Sequence, residues 1–244
     1  MSGRVLVTRP EPGAAQTARR LEELGFSPVL LPLSQTRALP VEIAAIPAAA
    51  AAVAVTSANA LRHASRDLVG ALADRPCFAV GKKTAAAARA AGFRKVTQGS
   101  GGAEQLARML VGQFGPGATV VYLCGRVRLC SFEELLAAAG IAVVAVETYD
   151  TVGQSDAEDA DYLSLIGQPV DAAVLYSVMA AEALLDIAHQ PKLSHLFENT
   201  TFLCLSPRIA SVISNRARAK FLIAAEPTEE ALLSLLSKQS RASP

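Results

Sequence analysis

The sequence predicts an α/β protein whose parallel sheets form two lobes, and three observations predict it. Short apolar runs of strand length alternate with helical patterns along the chain. One run, Val53 to Leu61 (VAVTSANAL), passes from four strand-forming residues through Thr56-Ser57 to Asn59 and a helical pattern. It reads as the carboxyl end of a parallel strand turning into a helix, the place where a doubly wound sheet binds its ligands. The device returns at Val174 to Leu184 (VLYSVMAAEAL), with Ser177 standing 120 residues after Ser57. Two such turns imply two lobes.

Taken in order, Arg4 to Thr8 is a first short strand. A helix begins near Pro10 and Pro12, where the missing N–H of proline has no partner to lose, and Gly25 stops it after Leu24. Pro28 to Leu33 is nearly continuous in apolar residues, which predicts a strand covered on both faces. Residues 35–40 lose that pattern, and Ala38 to Ala52 reads as a loop or short helix. Ala58 to Leu72 is a helix, Cys77 to Val80 a strand, and Gly81-Lys82-Lys83-Thr84 opens a helix ended by Gly92. Lys95 to Thr97, Ala118 to Leu123 and Ile141 to Thr148 are strands, separated by helices over Ala103 to Gln113 and Phe132 to Ala139. The apolar pattern breaks over 150–160. Strands then recur at Ala172 to Tyr176, Thr201 to Leu205 and Phe221 to Ala224, with helices at Ala180 to Ala188, Pro207 to Arg218 and Glu229 to Lys238.

The halves echo each other. Val5 to Arg9 resembles Val120 to Arg126, Gly25 to Leu33 resembles Gly140 to Thr148, and Phe78 to Ala85 resembles Leu203 to Ala210. With the strands of one unit lettered a to e, the chain reads d, e, then a to e, then a, b, c. A tandem division near residue 115 and a complete lobe inserted into a discontinuous one both fit this order.

Composition narrows the function. The 244 residues are 51% hydrophobic, enough for a substantial core. The net charge of +1 comes without a run of Lys or Arg, so no basic face is available for a nucleic-acid backbone. Cys77, Cys124, Cys130 and Cys204 form no CxxC pair and read as reduced thiols. The amino terminus has no apolar stretch of signal-peptide length, and no run approaches the ~20 apolar residues of a membrane span. A cytoplasmic protein is expected, with neither membrane nor nucleic acid as partner.

The chemistry lies at the strand-to-helix corners. Each offers unpaired amides at a helix N-terminus and a small hydroxyl residue, which bind carboxylate or phosphate. The corners are Thr56-Ser57-Ala58, Gly81-Lys82-Lys83-Thr84, Gly99 to Ala103, Gly125-Arg126, Ser177-Val178 and Ser206-Pro207-Arg208. A single corner is explained by helix capping, worth about 1 kcal/mol, but six corners point to a polyanionic ligand. Gly99 to Glu104 approaches GxGxxG but carries Glu at the third Gly position, and neither GxxxxGK[ST] nor GxSxG occurs. His63, His189 and His195 form no HExxH pair and read as helix-surface or capping residues, so no metal is expected.

VLVTRP near the start, VTSANAL at 55–61, AVGKKTAAAARAAGF at 79–93, the Gly-Ala-Glu-Gln-Leu start at 102–106, LCGR at 123–126 and ETYDTV at 147–152 together resemble the uroporphyrinogen-III synthase family. The resemblance spans nearly the whole chain in order, and its specificity lies in the combination. It implies a discontinuous lobe of residues 1–34 and 152–244, an inserted lobe of 37–148, and a two-strand linker near 35–36 and 149–151. It also implies a cofactor-free, monomeric dehydrating cyclase. Hydroxymethylbilane, a linear tetrapyrrole, would lose its hydroxyl as water, invert ring D and close to uroporphyrinogen III.

Such a substrate carries an acetate and a propionate on each pyrrole, which suits helix N-termini. Tyr149 holds the family's Tyr position in ETYDTV, and a phenol keeps its proton at neutral pH and can donate it to the leaving hydroxide. Thr8, Arg9, Thr56, Ser57, Ala58, Asn59, Gly81, Lys82, Lys83, Thr84, Gly125, Arg126, Ser177, Ser206 and Arg208 are the expected substrate-binding residues. Ser57 and Ser177 would be presented by different lobes across a hinge. Two positions depart from the family pattern. Ser206-Pro207-Arg208-Ile209 stands where a Gly-Pro-Thr-Thr-like corner is common, and Tyr176 replaces the Thr expected by analogy with Thr56. The rival classes are a bilobal binding protein for an anionic metabolite and a nucleotide-dependent oxidoreductase, which would need the glycine fingerprint broken at Glu104.

Overall fold

Continuous apolar strands need cover on both faces, and helices supply it here. The computed structural model describes residues 3–128, 130–153, 162 and 166–239. They divide into two compact units, Met1–Gln35 with Val152–Pro244, and Thr36–Thr151. The later part of the pattern break expected over 150–160 lies outside the described residues.

The discontinuous unit contains β1 (Arg4–Val7), α1 (Gly13–Glu23), β2 (Ser27–Leu30), β9 (Ala172–Leu175), α7 (Val178–Ala188), β10 (Thr201–Cys204), α8 (Pro207–Arg216), β11 (Lys220–Ile223) and α9 (Glu229–Gln239). Its sheet has the order β11-β10-β9-β1-β2, and every pairing is parallel. Side chains alternate between faces as a strand requires. Leu6, Ala173 and Leu175 enter one cluster with Leu184 and Ile213, whereas Val5, Val7, Ala172 and Val174 enter another with Leu21 and Leu232. The strand expected over Pro28 to Leu33 is the shorter β2, and it is not covered on both faces. It is a sheet edge with Leu30 exposed.

The second unit contains β3 (Ser34–Ala38), which crosses the boundary, β4 (Ala52–Val55), α2 (Ala58–Arg62), α3 (Arg66–Leu72), β5 (Cys77–Ala79), α4 (Lys82–Ala91), β6 (Val96–Gln98), α5 (Ala103–Gln113), β7 (Thr119–Gly125), α6 (Ser131–Ala138) and β8 (Ala142–Gly153). The sheet order is β3-β8-β7-β4-β5-β6, with β4 to β8 paired in parallel. Val53 and Val55 pack with Leu61 and Leu68, while Ala52 and Ala54 pack with Leu110 and Phe132. Leu110, Phe132 and Leu136 are fully buried, and each such side chain contributes about 1.5–3 kcal/mol.

Lettered a to e as above, both sheets share the order e-d-a-b-c, with β7 and β4 playing the parts of β1 and β9 and with β3 added outside β8. In each, strand order reverses beside strand a, opening a crevice at the carboxyl ends of strands a and d.

One further expectation changes. The helix over Ala58 to Leu72 is two helices, because the chain leaves helical geometry after His63 and Ser65 caps α3, its hydroxyl accepting from Leu68 N at 3.1 Å. Residues 34–38, where the apolar pattern is lost and the resemblance implied a linker strand near 35–36, form β3 beside β8. Gly92 closes α4 with φ +117°, a left-handed conformation that glycine adopts without strain.

Candidate functional site

In the unit Thr36–Thr151, the crevice lies between the turns after β4 and β7. Ser57 caps α2, its hydroxyl accepting from Asn59 N at 3.2 Å, and Asn59 Oδ1 accepts from Arg62 Nη1 at 2.6 Å. Thr56, the last residue before the cap, shares a 2.7 Å hydroxyl–hydroxyl hydrogen bond with Tyr122. Burial pushes the Tyr122 phenol up to about 12. Ala58 is half-buried in the first turn of α2.

One strand over, Gly81 caps α4 with no side-chain hydrogen bond, and α4 opens on exposed Lys82 and Lys83. Cations are placed here where the helix dipole favours anions. Thr84 is buried.

The turn after β7 is charged but locally matched. Arg126 pairs with Glu147 at 3.1 Å and Asp150 at 3.2 Å, and Arg128 pairs with Glu133 at 2.8 Å and Glu147 at 3.0 Å. Hydrogen bonds from Arg128 first and Arg126 second hold the Glu147 carboxyl below its usual range.

Tyr149 reaches this turn through a β-bulge. Cys124 pairs with Glu147 but Gly125 pairs with Tyr149, so Thr148 is the extra residue. Its buried hydroxyl donates to Ala60 O at 2.8 Å, tying the bulge to α2. Arg126 N donates to Tyr149 O at 2.9 Å. The half-buried Tyr149 ring stacks on His63, with centroids 5.7 Å apart and planes at 26°. Burial first, then the Arg62 charge, lowers the His63 pKa.

In the discontinuous unit, the turns after β1 and β9 carry a different network. Thr8 is fully buried and donates to Val174 O at 2.9 Å, which joins strands d and a and leaves no hydroxyl for a ligand. The Arg9 guanidinium lies 4.2 Å from the Tyr176 ring centroid and 3.3 Å from Glu229 Oε1. Glu229 also accepts from Thr17 at 2.5 Å, from Tyr176 OH at 3.1 Å and from Arg20 at 2.8 Å. Burial opposes the charged carboxylate. The Thr17 hydrogen bond, the Arg9 charge and the bonds from Tyr176 and Arg20 outweigh it, so Glu229 titrates below its usual range. Burial raises Tyr176 to about 12. Ser177 caps α7, accepting from Ala180 N at 3.2 Å. Ser206 caps α8 with no side-chain hydrogen bond, and Arg208 is exposed in the first turn beside Pro207.

The family model for uroporphyrinogen-III synthase HemD matches residues 15–234 of this chain. The chain belongs to the uroporphyrinogen-III synthase family. It is an enzyme of the lyase type, a cyclase of tetrapyrrole biosynthesis. No curated protein matches the sequence significantly. Among solved structures, the uroporphyrinogen-III synthetase of Helicobacter pylori 26695 aligns at TM-score 0.65 and 20% identity, covering 98% of this chain and 100% of that one. A mutant uroporphyrinogen III synthase of the extremely thermophilic bacterium Thermus thermophilus aligns at 0.52 and 21%, covering 99% and 98%. At these identities the two structures speak for the fold, which is α/β with parallel sheets.

In this uroporphyrinogen-III synthase family member, Thr56, Ser57, Ala58 and Asn59 share one corner, and Gly125, Arg126 and Tyr149 are brought together by the bulge. Gly81 to Thr84 lie at the neighbouring strand end. Thr8, Arg9 and Ser177 share the crevice of the other unit, and Ser206 and Arg208 stand one strand away. The sequence reading missed Thr17, Glu229, Tyr122 and the stacking role of His63. Thr17 and Glu229 come from helices far apart in sequence, so no local spacing reveals them. Tyr176 offered the one available signal, since a buried phenol needs a hydrogen-bond partner. No helix among the described residues is long and apolar enough to cross a membrane.

Proposed function

We propose that the chain cyclises hydroxymethylbilane to uroporphyrinogen III, binding the carboxylates of the substrate at the strand-to-helix corners and protonating the departing hydroxide from Tyr149. The observation that carries this reading is the sorting of charge among helix starts. α1, α2, α4, α7 and α8 have no acidic residue in the first turn, the last four following strands a and b of the two sheets, and α4 starts with two lysines. α5, α6 and α9 each carry an acidic residue there. Anions are favoured at the first set and repelled at the second.

Exposed Lys82, Lys83 and Arg208 supply positive charge, and Thr56, Ser57, Ala58, Asn59, Gly81, Thr84, Ser177 and Ser206 shape the corners. Arg9 and Arg126 already hold carboxylates of the protein, so they act on substrate by exchanging partners; Gly125 gives Tyr149 room, and Thr8 braces the turn. Anchoring many carboxylates folds a flexible chain so that its ends meet, and this positioning supplies much of the rate. Residues 1–34 with 152–244 and residues 37–148 are taken as the two lobes, linked near 35–36 and 149–151. The reading places a monomer in the cytoplasm, a reducing compartment that suits Cys77, Cys124, Cys130 and Cys204, none of which pairs with another.

The test is to supply hydroxymethylbilane and resolve the cyclised isomers. Spontaneous closure yields the symmetric type I isomer, so an excess of type III over an enzyme-free control is the expected result, and no excess sinks the reading.

A further inference from the structure

Tyr149 has two torsions between its backbone and its hydroxyl, and a reacting atom misplaced by 1 Å costs about 100-fold in rate. The bulge and the bond from Arg126 N fix its backbone but not its ring. Two neighbours do that. Gly125 lies so close beneath the ring that a Cβ there would stand 2.7 Å from Tyr149 Cζ and 2.9 Å from its hydroxyl oxygen. Only glycine admits the phenol in this orientation. His63 presents its imidazole to the ring at 26°, and its own orientation is fixed because Nε2 is hydrogen-bonded to Thr36 Oγ1 at 2.8 Å.

The imidazole stands there because α2 ends after five residues. His63 N donates to Asn59 O at 3.1 Å as the C-cap residue, and the chain then turns away into Ala64 and Ser65. A single helix through Leu72, as the sequence alone suggests, has no such break at His63. Thr148, immediately before Tyr149, donates to Ala60 O in the same helix, so the stacking pair is held at its backbone as well as through Thr36.

We propose that His63 is a positioning residue for Tyr149, its Thr36-anchored imidazole and the bare backbone of Gly125 confining the phenol to one orientation for proton donation. The proposal rests on the reading of Tyr149 as proton donor. His63 touches the phenol ring and acts through it.

The test combines steady-state kinetics on hydroxymethylbilane with ring resonances of 13C-tyrosine-labelled full-length protein. Only four tyrosines are present, so Tyr149→Phe assigns the signal. His63→Ala is expected to lower kcat about 10-fold with KM within about twofold, and to shift the Tyr149 signal as the stacked ring is lost. His63→Phe keeps an aromatic face and is expected to recover kcat to within about threefold of the parent. Gly125→Ala shifts the same signal by displacing the ring. In a Tyr149→Phe background, His63→Ala produces no further loss in kcat. An unmoved Tyr149 signal in His63→Ala overturns the proposal, and so does a moved signal with kcat unchanged. If Tyr149→Phe alone leaves kcat unaltered, the proton-donor reading fails and takes the catalytic role of His63 with it. That failure is separate because it is observed with His63 in place.

Discussion

Thr56 and Tyr122 join neighbouring strands β4 and β7 through a 2.7 Å bond between their hydroxyls, at the point where the sheet order reverses. Tyr122 is 2% exposed, while Thr56 is half-buried. The two ends of the bond therefore differ in what their loss exposes. Thr56→Val strands a buried phenol and is expected to cost about 1–3 kcal/mol, whereas Tyr122→Phe leaves a hydroxyl near water and costs about 0.5–1.5 kcal/mol. Urea unfolding of both variants and of the double variant checks the order, with the double variant less destabilised than the sum.

Glu229 makes the discontinuous unit sensitive to acid. Its carboxyl titrates below its ordinary value of 4.5 in the folded chain. A depressed carboxyl contributes stability that is present above the unfolded pKa and lost as pH falls through the folded one. Stability should fall below about pH 4.5, and Glu229→Gln should flatten that fall while costing about 2 kcal/mol at pH 7 through weakened bonds to Arg9, Arg20, Thr17 and Tyr176. Denaturant midpoints measured from pH 7 down to pH 3 test both statements. An equally steep fall in the variant would assign the acid sensitivity to other carboxylates such as Glu147.

Lys82 and Lys83 oppose the helix dipole of α4. Replacing either by Glu is expected to stabilise the fold by about 0.3–1 kcal/mol and at the same time to raise KM for hydroxymethylbilane several-fold. Thermal melts and initial rates at fixed ionic strength read the two effects separately. A lysine with no substrate role would show the first without the second.

Tyr149→Phe removes the proposed proton donor with little change in shape. kcat is expected to drop about 10²- to 10⁴-fold, with KM within about threefold of the parent because the carboxylate corners are intact. An unaltered kcat assigns the ring to packing.

The fold was legible because parallel strands buried on both faces are written as local apolar runs, such as Val53 to Val55 and Val174 to Leu175, each ending in a hydroxyl cap. β3 was not legible in that pattern, because Ser34, Gln35, Thr36 and Arg37 have no apolar rhythm, and only the family resemblance implied a strand there. The corners of Ser57, Gly81, Ser177 and Ser206 were legible for the same reason as the strands, since a cap is a local signal. The Arg9–Tyr176–Glu229 network was not, because its members meet only after β1, β9 and α9 are assembled. The break at His63 also escaped: its sequence, ALRHASRDL, carries no proline or glycine, and the turn is set by Ser65 capping the next helix.

The e-d-a-b-c strand order has a consequence during synthesis. Strands d and e of one sheet, β1 and β2, precede the whole of the other sheet in chain order, and their sheet is completed only when β9, β10 and β11 emerge more than a hundred residues later. Two parallel strands and one helix are too little to stand alone in water. The intervening segment carries every strand of its own sheet and is free to fold as soon as it leaves the ribosome. Strands β1 and β2 thus wait for partners made long after them, and α9, whose Glu229 clasps Arg9 and Arg20, closes the unit only after β11 has been made.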